Sequence, residues 1–330
     1  MKFMAESPKI IVITGPTATG KTALAVRLAR QFDGEIVSAD SRQVYRHMDI
    51  GTGKDLAEYS AGGTPVPFHL IDCVPPDATY NLHAFCRDAR QCIAAIAGRG
   101  RLPVICGGTA LYIDALLRGY ALPGTAPDPA ERAALDAMEL DALNAELAGL
   151  APEFYRTFLD RTNKTRLRRA IEIARHRQTP AAEMPAADFQ ALLLGVYYPR
   201  DIVHRRIAER LDARLAAGMI EEVRELNEHY GVSFEKLDFF GLEYRYVGRY
   251  LQNRLDFQTM RDELLSKIRQ FAKRQDIFFR KMEREGAVIH WLRGGSEPDP
   301  AALVRRFLAG EPLPAPVLQL KEIHYGKKSS

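Results

Sequence analysis

Residues 15–22 read GPTATGKT, the spacing G-x-x-x-x-G-K-[ST] of a loop that binds phosphate. The run before it, KIIVIT (9–14), is apolar and β-branched, and ALAVRLARQF after it has helical periodicity. The loop therefore joins a strand to a helix. No other feature constrains the chain as much, because strand, glycine turn and helix are the opening unit of a parallel, helix-covered sheet. Gly15 and Gly20 let the loop, Pro16 included, turn the amides of Thr17, Ala18, Thr19 and their neighbours inward, and a helix starting near Lys21 adds its positive end. Lys21 is expected to supply a point charge to phosphate oxygens, and the Thr22 hydroxyl to bind Mg²⁺. Such a loop says that a phosphate binds. It does not say whose.

Further strands are predicted at EIVSAD (35–40), FHLID (68–72) and LPVIC (102–106), with a helical pattern in NLHAFCRDARQCIAAIAG between the last two. Alternating strands and helices predict an α/β fold, a phosphate-loop doubly wound parallel sheet. YALPGTAPDP (120–129) and TPAAEMPAAD (179–188) are loose stretches flanking a mostly helical segment, and FQALLLGVYY (189–198) is strand-like again. The expected organisation is a first part of the core at 1–119, a helical insertion at 120–188, and core completion with C-terminal helices at 189–330. From Arg200 onward the chain reads as mostly helical, without repeats.

Length and composition fit this. A chain of 330 residues suggests about two domains, and 46% hydrophobic residues allow a sizeable core. A net charge of +4 is too small to argue for nucleic acid by itself, so clustering has to carry that argument. Cys73, Cys86, Cys92 and Cys106 lack CxxC or zinc-ligand spacing, so reduced thiols are expected. No signal-like region or apolar run near the ~20 residues of a membrane span is present. A cytoplasmic protein without a membrane partner is the expectation.

FHLID, ending at Asp72, is a candidate for the acid-tipped strand of nucleoside triphosphatases, and no Asn-Lys-x-Asp guanine motif exists. The loop is then free to hold a diphosphate that is not part of a nucleotide. Three more segments sharpen this: ADSRQVYRHMDIGTGK (39–54), CGGTALYIDALL (106–117) and IRQFAKRQDIFFRK (268–281). With GPTATGKT they resemble the tRNA dimethylallyltransferases, also called tRNA isopentenyltransferases, from about residue 9 to residue 292. The resemblance implies transfer of a dimethylallyl group from dimethylallyl diphosphate to N6 of the adenine 3′-adjacent to the anticodon, with release of pyrophosphate. It also implies the tRNA anticodon stem-loop as partner and Asp40 as general base. A monomer is expected.

The residues make chemical sense of this. Negative charge grows on the departing diphosphate, where fixed amides, Lys21 and Mg²⁺ would stabilise it. The adenine amine is a poor nucleophile, and a carboxylate accepting its proton helps by ~10²–10⁴-fold. Asp40 ends the second predicted strand, at the sheet edge that faces the ligand crevice in open α/β folds. A turn carboxylate or a magnesium partner is the structural alternative. Ser41, Arg42, Gln43 and Tyr45 follow it as candidate contacts to a polynucleotide. Thr109, in GGTALY at the same edge, is implied to contact the substrate nucleotide, or it is an ordinary helix N-cap.

Arg206 and Arg210, four apart on one predicted helix face, are implied to hold the diphosphate; the alternative is a solvated face pairing with Glu209 and Asp212. TNKTRLRRAIEIARHR (162–177) sets Lys164, Arg166, Arg168, Arg169, Arg175 and Arg177 against a single acid, Glu172. That clustering is the footprint of a phosphate backbone, with a solvated charged face as the alternative. The resemblance assigns Thr165, Arg166, Leu167, Arg168 and Arg169 to tRNA, and Arg132 with them. In a second cluster, 267–281, Lys273 and Arg274 fall on the basic face assigned to RNA, while Ile268, Phe271, Gln275 and Phe278 form a stripe expected to be core. One departure stands out. Where the family commonly has Gly-Tyr-Arg, this chain reads FFGLEYRY (239–246): Tyr244 and Arg245 keep the end as implied tRNA contacts, and Leu242 and Glu243 alter the approach. Two rivals remain. A phosphate-loop small-molecule kinase binding ATP uses Asp40 equally well but has no need of two basic clusters. A nucleotide-gated RNA-binding protein leaves Asp40 unexplained.

Overall fold

The structure, a computed structural model, describes residues 7–119, 128–176 and 188–323. The YALPGTAPDP and TPAAEMPAAD stretches and Arg177 lie wholly or mostly outside them. Among the described residues six strands form one parallel sheet in the order β3-β2-β4-β1-β5-β6. They are β1 (Lys9–Thr14), β2 (Gly34–Ser38), β3 (Phe68–His69), β4 (Leu102–Cys106), β5 (Gln190–Tyr197) and β6 (Ile289–Arg293). β1 lies between β4 and β5, and its Ile10, Ile11, Val12 and Ile13 are wholly buried. Helices on both faces explain why the strand reads as one apolar run rather than as an alternation.

The helices are α1 (Lys21–Gln31), α2 (Ala57–Ser60), α3 (Leu82–Gly98), α4 (Ala110–Arg118), α5 (Pro129–Ala137), α6 (Leu140–Leu150), α7 (Pro152–Thr157) and α8 (Lys164–Arg175). After β5 come α9 (Arg200–Ala216), α10 (Met219–Glu228), α11 (Phe234–Phe240), α12 (Leu242–Leu251), α13 (Phe257–Arg284) and α14 (Pro300–Ala309). Residue contacts divide the chain into two units, Met1–Arg118 with Ala187–Ser330, and Gly119–Ala186. The first holds the sheet. The second, over its described residues, packs α5 to α8 around Leu135, Leu143, Leu147, Leu167, Ala170 and Ile171.

Three expectations are corrected. The strand predicted at 68–72 stops at His69, because Leu70 and Asp72 take left-handed backbone conformations (φ 60° and 55°). The Asp72 carboxylate pairs with Lys54 instead of tipping a strand beside the phosphate loop. The C-terminal part contains β6 as well as helices, hidden in the sequence as a five-residue run behind a 28-residue helix. That strand also sets the face of α13: Phe279 packs on Trp291 at 5.6 Å, and the buried row is Ile268, Ala272, Gln275, Phe279 and Met282. Phe271, predicted to be core, is exposed.

Candidate active site

The site forms in the first unit, at the carboxyl edge of the sheet. β1 runs into Gly15 at φ 142°, where an added Cβ would lie 2.7 Å from the Val196 carbonyl oxygen of β5, so only glycine lets the loop leave the strand there. The loop returns to helix at Gly20, in the left-handed conformation, and α1 starts at Lys21. β4 ends in a second tight approach: a Cβ on Gly107 would sit 2.2 Å from the Ala39 carbonyl oxygen. The chain after β4 is thereby pressed against the chain after β2. Around these turns opens a cleft of about 1050 Å³, lined by residues 17–22, 40–43 and 106–109 and by α9, α11–α12 and α13.

Asp40 lies two residues beyond β2 and lines the cleft. Its Oδ1 accepts hydrogen bonds from the amides of Arg42 (2.8 Å) and Gln43 (3.4 Å), a turn that holds the carboxylate in place. Thr109 occupies the N-cap position of α4 through its carbonyl, which accepts from Tyr112 and Ile113. Its hydroxyl is used elsewhere, accepting from the Ser41 amide at 3.2 Å. The hydroxyl is therefore not a side-chain cap of α4; it braces the segment after Asp40. Gln43 donates from Nε2 to the Gly53 carbonyl (3.0 Å), tying the segment after Asp40 to the glycine turn at 51–53.

Positive charge converges on the phosphate loop. Lys21 Nζ donates to the Pro16 carbonyl at 2.6 Å. Burial, with help from Arg210, pulls its pKa down to about 8, against the opposing pull of Cys106 and Asp40. Arg206 donates from Nε to the Ala18 carbonyl (2.8 Å) and lies over the Tyr198 ring. Arg210 hydrogen-bonds the Thr17 hydroxyl, and burial beside Arg214 lowers its pKa to about 10. The acids that the alternative reading offered them go elsewhere: Glu209 pairs with Arg205 and Asp212 with Arg261. Thr22 lines the cleft next to Lys21, and its hydroxyl makes no hydrogen bond among the described residues. Cys106 lines the cleft too, but burial pushes its thiol up to about 12, which removes it as a nucleophile at neutral pH.

Three residues were not read from the sequence as part of the site. Gln275 of α13 accepts from the Thr17 amide (2.9 Å) and donates to the Gly108 carbonyl (2.7 Å), clipping the phosphate loop to the loop after β4. Arg214 continues the row of Arg206 and Arg210 by four more residues and donates to the Gly51 carbonyl at 3.3 Å; helical spacing alone could have found it. Glu222 of α10 accepts from three successive amides, Asp49, Ile50 and Gly51, and from the Tyr244 hydroxyl. Nothing local to Glu222 signals that role. Tyr244 is accordingly buried, its hydroxyl bonded to Glu222 at 2.8 Å, which corrects its reading as a tRNA contact. Leu242 and Glu243 line the cleft together with the Tyr244 ring, and Arg245 is held by Asp238.

The basic residues of the second unit are more paired than the sequence suggests. Arg166 pairs with Asp160, Arg168 with Asp136, and Arg175 with Glu131 and Glu146. Glu172 receives Arg132 and Arg169, at 3.0 and 2.9 Å. Folding brings in acids from α5 and α6 that are distant in sequence, so the cluster is an ion-pair network and not a bare cationic face. Leu167 is wholly buried in this unit's core, and so cannot touch RNA. Lys164 and Thr165 remain exposed, as do Lys273 and Arg274 on α13 of the first unit.

Comparison with known proteins gives a consistent picture. The family model described as IPP transferase matches residues 43–282, and one described as isopentenyl transferase matches residues 8–64. The chain is 47% identical over 291 residues to tRNA dimethylallyltransferase 1 of Syntrophus aciditrophicus (strain SB), covering 86% of this chain and 93% of that one. Among solved structures it resembles the tRNA isopentenylpyrophosphate transferase of Bacillus halodurans (TM-score 0.64, 31% identity, 92% of this chain and 96% of that one). It also shares its fold with a eukaryotic dimethylallyltransferase acting on tRNA (TM-score 0.78, 23% identity, 93% of this chain and 81% of that one).

Proposed function

The chain belongs to the tRNA dimethylallyltransferase family and is a tRNA-modifying prenyltransferase, and we propose that dimethylallyl diphosphate is its donor, N6 of the adenine 3′-adjacent to the anticodon its acceptor, and Asp40 its general base. One observation carries the reading: a phosphate cradle and a turn-anchored carboxylate line the same cleft. The loop amides, Lys21, Arg206 and Arg210 hold the diphosphate and take up the charge that develops as the allylic C–O bond breaks. The N6 nitrogen forms the new bond to that carbon, its proton passes to Asp40, and pyrophosphate leaves on the loop side. Thr109 holds the Ser41 amide and so keeps the Asp40 turn in place.

The free Thr22 hydroxyl beside Lys21 fits Mg²⁺, a cation that is often held by few protein ligands plus substrate phosphates. Among the described residues no group of three or more metal-ligating side chains assembles, so diphosphate oxygens and water would complete the shell. When bound, the ion would add charge neutralisation on the diphosphate. No helix among the described residues is long and apolar enough to cross a membrane; cytoplasmic action as a monomer is part of the proposal. The kinase reading is separated by incubating the protein with undermodified tRNA and labelled dimethylallyl diphosphate, and in parallel with labelled ATP. Label from the prenyl donor is expected on the tRNA. Consumption of ATP with no prenyl transfer would reverse the assignment.

A further inference from the structure

Flipping an adenine out of a tRNA loop strips its neighbours of a stacking partner. Proteins that read single-stranded RNA commonly offer aromatic rings or arginine planes to such bases. One place in the first unit meets that requirement. Phe239, near the C-terminal end of α11, is 53% exposed, although the next two residues, Phe240 and Gly241, line the cleft. Single exposed aromatics are ordinary on protein surfaces, so exposure alone says little. What sets Phe239 apart is its cover.

The Arg42 guanidinium lies over the Phe239 ring at 5.1 Å, and the Lys236 ammonium is 5.4 Å from its centroid. Lys236 is committed, donating to the Ala78 carbonyl at 3.0 Å. Arg42 is not. Its backbone amide holds Asp40, yet among the described residues its guanidinium makes no hydrogen bond or ion pair, although it is only partly exposed to water. A flat, partly desolvated cation with its donors unspent, two residues from the general base, rests on an exposed ring at the cleft margin.

We propose that Phe239 and Arg42 form a stacking platform for a nucleotide adjacent to the prenylated adenine, the ring stacking on the base while Arg42 donates to its edge or phosphate. This rests on the tRNA-prenyltransferase reading and extends it to how the loop is held open. It also gives a reason for the altered element FFGLEYRY: with Tyr244 buried beneath Glu222, an aromatic surface is offered from the preceding helix instead.

The test uses the full chain and unmodified anticodon stem-loop RNA, with affinity read by fluorescence anisotropy. Phe239→Ala is expected to weaken binding of intact RNA roughly five- to a hundred-fold, Phe239→Tyr to restore most of it, and affinity for dimethylallyl diphosphate to stay unchanged. The same variants are titrated with RNA made abasic at the 5′ or the 3′ neighbour of the target adenine. At one of these positions wild-type binding is already weakened, and Phe239→Ala should add less than about twofold. Equal weakening of intact and both abasic RNAs, or no weakening of intact RNA, would overturn the platform. Because binding is the readout, a failure of wild-type protein to transfer label from dimethylallyl diphosphate would count against the enzymatic reading and leave the platform to be judged on its own data.

Discussion

Asp40 uses one oxygen to anchor its own turn, leaving the other for substrate. Asp40→Asn keeps the shape and an acceptor oxygen but cannot take a proton. Turnover is therefore expected to drop by ~10² or more with tRNA and diphosphate affinities nearly unchanged, as measured by single-turnover kinetics and direct binding. Near-normal turnover would remove Asp40 from the mechanism. Lys21 makes a second prediction. Its pKa is lowered to about 8 chiefly by burial, so the free protein loses that positive charge as pH rises through 8. A diphosphate in the loop favours the charged form, and binding above pH 8 must then take up a proton. Relative to Lys21→Ala, which shares the ligand's own ionisation, pyrophosphate affinity should fall by up to about tenfold per pH unit above pH 8. Lys21→Ala should bind weakly and lack that break. A break that survives in the variant would assign it to another group.

At the scale of elements, the site is held by helices that come late in the chain. Gln275 spans the phosphate loop and the loop after β4, and Glu222 collects the 49–51 turn and Tyr244. Glu222→Ala leaves three amides and a buried hydroxyl without their acceptor, with an expected loss of about 3–5 kcal/mol by urea denaturation. Tyr244→Phe removes one of these bonds and should cost about 1–2 kcal/mol. If Glu222→Ala is no worse than Tyr244→Phe, the amides are satisfied by water and Glu222 is not the organiser of that turn. Gln275→Leu should raise the KM for dimethylallyl diphosphate more than the KM for tRNA, since it frees the Thr17 amide within the cradle.

At the scale of the whole molecule, the second unit has a core and an ionic network of its own. If its arginines meet tRNA phosphates, they must first exchange the carboxylates they now hold. Among Arg166, Arg168 and Arg169, Arg166 is the most exposed and pairs with a partly exposed acid, so that exchange is easiest there. Arg166→Ala should flatten the salt dependence of tRNA binding by roughly 0.7–0.9 in log–log slope for a lost phosphate contact. Leu167→Ala should act differently: it opens a cavity worth about 2–5 kcal/mol of this unit's stability and weakens tRNA binding without changing the slope. An unaltered slope in Arg166→Ala would assign the cluster to internal pairing and move the search for the RNA path to Lys273 and Arg274.

The phosphate loop, the parallel sheet it implies and the position of Asp40 past a strand end were legible in the sequence, because each depends on residues adjacent in the chain. Glycine spacing, β-branched runs and helical periodicity are local signals, and Arg206 with Arg210 needed only a helix to face the same way. What was illegible depends on partners far apart in sequence. β6 was too short to stand out, and with it went the true face of α13. The clip by Gln275 joins residues 258 and 167 positions apart, and the anchor at Glu222 reaches back more than 170 positions to the turn at 49–51. The basic run at 162–177 looked nearly unopposed because Asp136, Glu131 and Glu146 arrive on α5 and α6. Local pattern determined which residues carry the chemistry. Only the tertiary fold decided which are held, which are buried and which remain free to meet a substrate, since burial and hydrogen-bond satisfaction belong to neighbours that the chain order does not name.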